Sequence, residues 1–298
     1  LKLHTITSLL PYLMETAEII EQENGIYSCP IAHFTVGMQA NSYLFGHPIW
    51  GEEYFKRTHR SETFRLRWQK ACGSWDQKIV VDIGCGPGNV YATVGGSPSL
   101  LIGIDIAQGA LEKAQQVGYL PLLADAHHLP LIDSFADLVI ANATIHHCDD
   151  MAQVLAEAAR LVRPGGLLVT DKDPQASAWK LRGLGLVGQK IQWHPVYRRM
   201  TGRLHTTADE ARARLATELH NNQPGEGITP ELYHQVLEPL GFEVKLFPHN
   251  HHTGAEVLEG DHGRSPWRVR LCQRLSGIDP NTKEAAQSIM CVATRHCR

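Results

Sequence analysis

Val80-Val81-Asp82-Ile83-Gly84-Cys85-Gly86-Pro87-Gly88-Asn89-Val90 is the stretch on which the reading of this chain turns. A short apolar run over 78–81 ends in an acid and then in three glycines at every second position. The pattern predicts a buried parallel strand, a tight turn and the start of a helix. Glycines there let the backbone turn sharply and let a ligand approach with no Cβ in the way. Asp82 stands at the carboxyl end of the strand, where open α/β sheets bind their ligands.

Outward from this turn, apolar strand patterns alternate with helical ones. Strands are predicted at 78–82, 100–104, 120–123, 137–142, 166–171, 241–247 and 288–294, and helices near 89–95, 107–117, 150–162 and 229–239. Pro164-Gly165-Gly166 reads as a stop before the fifth strand. The alternation predicts an α/β fold, a mostly parallel sheet with crossover helices. Asp105 closes the second run, about twenty residues past the glycine turn, as a β-α-β unit spaces it. A carboxylate there offers two acceptor oxygens to a ribose diol, or caps the helix that follows.

Two ligands compete for the turn. A dinucleotide site wants G-x-G-x-x-G with the pyrophosphate on the helix N-terminus. This chain has G-x-G-x-G, with Asn89 where a third spaced glycine would fall, and Pro87 removes a backbone donor. The turn therefore suits a ligand without phosphate that carries a positive group near Asp82, and S-adenosylmethionine fits better than NAD.

At Asp82, Gly84, Gly86 and Gly88 the chain resembles the class I S-adenosylmethionine-dependent methyltransferases, in particular the small-molecule, methyltransferase-11-like group. The resemblance covers roughly residues 70–175 well and 235–298 by strand pattern alone. It implies a Rossmann-like sheet of seven strands in the order 3-2-1-4-5-7-6, the last antiparallel, with helices on both faces. It also implies S-adenosyl-L-methionine as cofactor and S-adenosyl-L-homocysteine as product. By the same resemblance Gly84, Cys85, Gly86 and Gly88 form the cofactor turn, Asp105 holds the ribose, and Ile106 packs beside the adenine. Asp125 meets the adenine amino group and the Ala126 amide a ring nitrogen. The backbone at Asn142 receives the methionine amino group, helped by the charge of Asp82. His147 is the leading polar candidate facing the substrate, with His146 second. A histidine near neutral pKa can act as general base. Asp171 and His194 are weaker base candidates.

The flanking segments depart from the alternation. Residues 1–70 are expected to form a helical and aromatic cap, and 71–298 the methyltransferase domain. Leu9, Leu10, Leu13, Met14, Ala17, Ile19 and Ile20 predict one amphipathic helix within 1–25. A further helix is expected over Glu52–Lys70. By family analogy Tyr43, Trp50 and Tyr54 are pocket walls. Residues 172–230, with Trp193, His194 and a polar helix near 207–220, form an insertion expected to be a substrate lid. Residues 250–266 read as a surface loop.

Composition sets the outer limits. The chain has 298 residues, 43% hydrophobic and 20% charged, which is ordinary for a globular protein. A net charge of −3 gives no global drive toward nucleic acid. Seven scattered cysteines without a C-x-x-C pair argue for reduced thiols and a cytoplasmic setting. No apolar run approaches the roughly 20 residues of a membrane span, and no basic-then-apolar leader opens the chain. It begins at Leu1, so native residues are expected to precede it. There are 17 histidines, and His249, His251 and His252 cluster, yet no metal site is assigned. The expected activity is methyl transfer to an O, N or C atom of a small molecule by a monomer or homodimer. The alternatives are a methyltransferase acting on protein or RNA, with Arg182, Arg198, Arg199 and Arg203 as a basic patch, and a non-catalytic cofactor-binding partner.

Overall fold

The structure, a computed structural model, describes residues 5–50, 61–191, 208–220 and 223–297. Its centre is the strand β3 (Ile79–Ile83), buried along most of its length. A strand covered on both faces reads as a continuous apolar run, and this one does. Successive side chains leave it on opposite sides. Val81 and Ile83 enter one core with Ile102, Ile104, Leu122 and Val139, and Val80 enters the other with Leu101, Val90, Trp75 and Tyr119.

Among the described residues the sheet has nine strands: β1 (Ile20–Glu21), β2 (Tyr27–Ser28), β3, β4 (Leu100–Asp105), β5 (Leu120–Leu123), β6 (Ala136–Asn142), β7 (Val162–Pro174), β8 (Phe242–His249) and β9 (Ser288–Arg295). Their order is β1-β2-β5-β4-β3-β6-β7-β9-β8. From β5 to β8 this is the expected 3-2-1-4-5-7-6, with β9 antiparallel to both neighbours. The expected count of seven is corrected to nine, because the N-terminal hairpin β1–β2 joins the sheet with β2 parallel to β5.

Among the described residues the helices are α1 (Ile6–Leu9), α2 (Val36–Phe45), α3 (Glu62–Cys72), α4 (Asn89–Val94), α5 (Gln108–Gln116), α6 (Met151–Leu161), α7 (Gly183–Ile191), α8 (Ala208–Thr217), α9 (Pro230–Leu237) and α10 (Trp267–Leu275). Four have side-chain caps that explain where they begin: Thr35 accepts from the Met38 amide, Ser61 from Phe64, Asp150 from Gln153 and Thr229 from Leu232. In α6 the residues Val154, Leu155, Ala158 and Leu161 recur at helical spacing and are buried against the sheet.

Four expectations are corrected. The single helix over 1–25 is absent; α1 runs straight into a 3-10 turn at Leu10–Tyr12, and the chain then becomes extended. Pro11 explains this, since proline inside a helix removes a donor and clashes with the preceding turn. The helix expected from Glu52 starts, among the described residues, at Glu62 behind its Ser61 cap. Pro164-Gly165-Gly166 does not stop β7 from pairing: Val162 already pairs with Ala136, across an irregularity in register. Residues 250–266 are not a simple surface loop. Asn250, Thr253 and Ser265 are buried, and the Asn250 side chain donates to the carbonyls of His262 and Gly263.

Of the expected insertion after β7, α7 packs on α10 and α8 packs on α2. No helix among the described residues is long and apolar enough to cross a membrane. All seven cysteines are free thiols.

Candidate cofactor and substrate site

A cavity of about 900 Å³, mouth included, opens at the carboxyl ends of β3, β4, β5 and β6. The sheet side supplies Gly84, Gly86, Asp105, Ile106, Asp125, Ala126 and Asn142, and the 3-10 turn Ile145–His147 supplies His147. Helix α2 lies over it with Met38, Asn41 and Phe45.

The glycine turn is built for close approach. Gly84 and Gly86 take φ of +65° and +53°, a region open to glycine at little cost. A Cβ at Gly84 would overlap the Thr144 side chain, whose hydroxyl donates to carbonyls around the turn, including that of Ile83 at 3.2 Å. At Gly86 a Cβ would meet only the Asn89 side chain, at 3.9 Å, so the backbone borders open cavity.

Asp105 ties the turn to the second strand. One carboxylate oxygen accepts the Gly86 amide and the other the Ala107 amide, each at 2.8 Å. A carboxylate has about four acceptor positions, so capacity for a diol remains. Burial raises the Asp105 carboxyl above its ordinary range, against the three backbone amides that lower it. Asp105 does not cap α5; the residue before that helix is Ala107. For Asp125, burial alone would raise the carboxyl, but the ring and amide of His127 outweigh it and hold it low.

Asp82 lies elsewhere. Strand pleating puts it on the Val80 side, beneath the turn, where one oxygen accepts the Tyr119 hydroxyl at 2.7 Å. Its other oxygen is buried with no hydrogen-bond partner among the described residues. Burial pushes this carboxyl up to about 8, against the Tyr119 hydrogen bond. Asp82 therefore does not border the cavity, and neither do Cys85, which is buried in the second core, or Gly88, which precedes α4.

The two histidines differ. His147 borders the cavity, and its Nδ1 lies 2.6 Å from the Thr217 carbonyl oxygen. A carbonyl only accepts, so Nδ1 carries the proton and Nε2 keeps a lone pair. Burial, then the neighbouring His146, hold His147 well below its usual range. His146 is buried behind it. Asp173 accepts both its Nδ1–H, at 2.8 Å, and its backbone amide, at 3.1 Å. Burial works against its protonation, but Asp173 and Glu218 together raise it.

Of the expected aromatic walls, Tyr43 faces outward, 60% exposed, and packs edge-on against Trp50. Neither borders the cavity; the opposite face of α2 does, through Met38, Asn41 and Phe45. Tyr54, Trp193 and His194 lie outside the described residues. Asp171 is fully buried as the partner of Arg67 and His249, out of the cavity. The residues that sequence reasoning passed over were Met38, Asn41 and Phe45. Their spacing of three and four along α2 was the available signal. Ala143, with φ of +53°, is a strained residue at the cavity wall, held by a 2.7 Å bond from its amide to the Asp171 carbonyl.

Residues 81–170 match the family described as a methyltransferase domain. A malonyl-[acyl-carrier protein] O-methyltransferase of Hamiltonella defensa is 33% identical over 132 residues, 44% of this chain and 50% of the relative. A ubiquinone biosynthesis O-methyltransferase of Thiobacillus denitrificans is 32% identical over 119 residues, 38% and 51% of the two chains. The chain thus spans about half the length of these relatives. Among solved structures, a Thermotoga maritima S-adenosylmethionine-dependent methyltransferase described as a possible histamine N-methyltransferase superposes with a TM-score of 0.49 at 17% identity, covering 85% of this chain and 99% of that one.

Proposed function

Taking as premise that residues 81–170 are a methyltransferase domain, we propose that the chain transfers a methyl group from S-adenosylmethionine to an oxygen of a small-molecule acceptor. The observation that carries this reading is the convergence of Gly84, Gly86, Asp105, Asp125 and Asn142 on one cavity. The choice of oxygen rests on the relatives named O-methyltransferases, and these differ in acceptor.

The residues present fit the cofactor. Asp105 would hold the ribose hydroxyls, and Ile106, Ala124 and Ala126 offer an apolar slot for a flat base, with Asp125 at its rim. Asn142 and the open backbone at Gly86 would face the amino-acid end. Asp82, one layer below and protonated up to about pH 8, would support the turn from beneath through its Tyr119 hydrogen bond and not by charge. When bound, the cofactor supplies an electrophilic methyl carbon, so the protein's task is alignment and exclusion of water. Helix α2 is placed for that task. Its Thr35 hydroxyl donates to Asp149 at 2.7 Å, and its Asn41 amide donates to the His147 carbonyl at 3.3 Å. His147, with Met38 and Phe45, would form the acceptor side. The lone pair on its Nε2 is open to a proton or to a cation. Residues 172–230 would close over the acceptor as a lid, α8 already resting on α2.

Calorimetric titration with S-adenosylmethionine and S-adenosylhomocysteine tests the reading. Saturable binding that Asp105→Ala weakens at least tenfold, in a protein that stays folded, supports it. No binding to wild type at millimolar cofactor ends it. Mass-shift detection of a methylated product in a metabolite pool then separates an enzyme from a silent binding protein.

A further inference from the structure

His146, His147 and Glu218 bring one ligand atom each, a ring nitrogen or a carboxylate oxygen, within 4.8 Å of one another. The three come from separate parts of the chain. The histidines sit on the 3-10 turn after β6, and Glu218 directly follows α8. We propose that they form a binding site for one divalent first-row transition metal ion, such as Zn²⁺ or Co²⁺, which pins the 217–220 segment to the end of β6.

The donor set supports this. Two imidazoles and one carboxylate are ligands that such ions accept in an open site, leaving a further position for a solvent or substrate oxygen. Metal-bound histidines commonly pass their other ring N–H to a carboxylate or a backbone carbonyl, which fixes tautomer and ring orientation. Both histidines already have such a partner. His146 gives Nδ1–H to the buried Asp173 carboxylate at 2.8 Å, which leaves Nε2, 3.7 Å from a Glu218 oxygen, as the nitrogen that a metal ion would take in place of a proton. His147 gives Nδ1–H to the Thr217 carbonyl at 2.6 Å. The two rings lie together, centroids 3.9 Å apart. Bonds of about 2 Å from metal to each ligand require the donor atoms to close by roughly 1 Å. Glu218, whose side chain is 32% exposed, is at the rim of the group, and its carboxylate is the donor that would move.

The segment that would be pinned already makes polar contacts with the end of β6. The His220 amide donates to the His146 carbonyl at 3.3 Å, and the His220 ring donates through Nε2 to the Cys148 carbonyl at 3.0 Å. A metal ion would add a cross-link between the lid and the cavity wall that needs neither cofactor nor acceptor.

The test uses the full chain freed of metal by a chelator and then titrated with Zn²⁺ by calorimetry and with Co²⁺ by visible absorption. The expected result is one equivalent bound at micromolar affinity or tighter, with a ligand-field spectrum for Co²⁺. Glu218→Gln, a change at a half-open position, should weaken binding at least tenfold, as should His146→Ala. His234→Gln, on the outer face of α9, should leave it unchanged. Hydrogen exchange at the 217–220 amides should slow on Zn²⁺ addition in wild type but not in Glu218→Gln. The absence of stoichiometric binding overturns the proposal. So does binding that survives Glu218→Gln at unchanged affinity, since it would place the ion on other histidines. All of these readouts are independent of methyl transfer, so they succeed or fail separately from that reading.

Discussion

Replacing Arg67 with Met should be among the most damaging single changes outside the cavity. The Arg67 guanidinium is completely buried, and so is its partner Asp171. Its Nε and Nη2 both donate to one Asp171 oxygen, at 3.1 and 2.9 Å, and Nη1 donates to the Thr253 carbonyl. The other Asp171 oxygen bonds His249 Nε2 at 2.7 Å and accepts the Lys172 amide at 2.7 Å. The nearby cations hold the Asp171 carboxyl far below its usual range although burial opposes this. Methionine keeps the length of the stem but leaves the buried carboxylate with only His249 and the Lys172 amide on its other oxygen, and the Thr253 carbonyl without the Arg67 donor. Breaking one side of a buried ion pair costs about 3–5 kcal/mol, and an orphaned buried carbonyl adds about 1 kcal/mol or more. The retained His249 contact offsets part of this, so the expected loss is about 4 kcal/mol. Urea unfolding followed by circular dichroism measures it. Arg67→Met with Asp171→Asn should cost less than the sum of the singles by more than about 1 kcal/mol, because the two groups share one network. A loss below about 1 kcal/mol for Arg67→Met, at an unchanged denaturant slope, would refute the reasoning. Function should follow stability, because the Asp171 carbonyl holds the Ala143 amide at the cavity wall.

Three further outcomes are expected. Gly84→Ala must place a methyl group against Thr144 at a φ of +65°, so it should cost a few kcal/mol and abolish S-adenosylhomocysteine binding in calorimetry; full binding would show that the turn can shift. Thr35→Ala removes the cap of α2 and its bond to Asp149, which should cost about 1 kcal/mol in thermal unfolding and raise KM more than it lowers kcat. Asp82 sets a pH dependence. Its folded carboxyl titrates at about 8 against roughly 3.9 when unfolded, so the folded state binds the extra proton between those values. Stability from this group is complete below pH 4 and is lost as pH rises through 8. Asp82→Asn should flatten that decline in denaturation midpoints measured from pH 5 to pH 9, and an unaltered slope would show that Asp82 is ionised in the folded protein.

The central sheet was legible because its signals are local. The runs at 100–104 and 120–123 are apolar throughout, and Asp105 follows its strand directly, so little besides burial decides their place. Asp82 was harder to place. Its position at a strand end was clear, but the side it faces depends on the pleat, and one residue of offset turns it from cavity to core. Helix α2 is harder to read for a related reason. Its conspicuous aromatic, Tyr43, and the following Trp50 point to a pocket wall, whereas the cavity uses the opposite face, with Met38, Asn41 and Phe45. The N-terminal hairpin could not be read locally at all. Tyr27-Ser28 is two residues long and becomes a strand only because β5 offers it a partner. The meeting of Glu218 with His146 likewise depends on how α8 docks, which no spacing in the sequence encodes.

That short hairpin has a consequence for the margin of the sheet it covers. Without it, Leu120–Leu123 would present a row of unsatisfied peptide groups along an apolar ribbon, a template for any extended chain nearby. The opposite margin is guarded differently, by Glu243, Lys245 and Pro248 on β8. Trimming the protein back to Cys29 would therefore be expected to yield soluble clumps rather than a clean smaller particle.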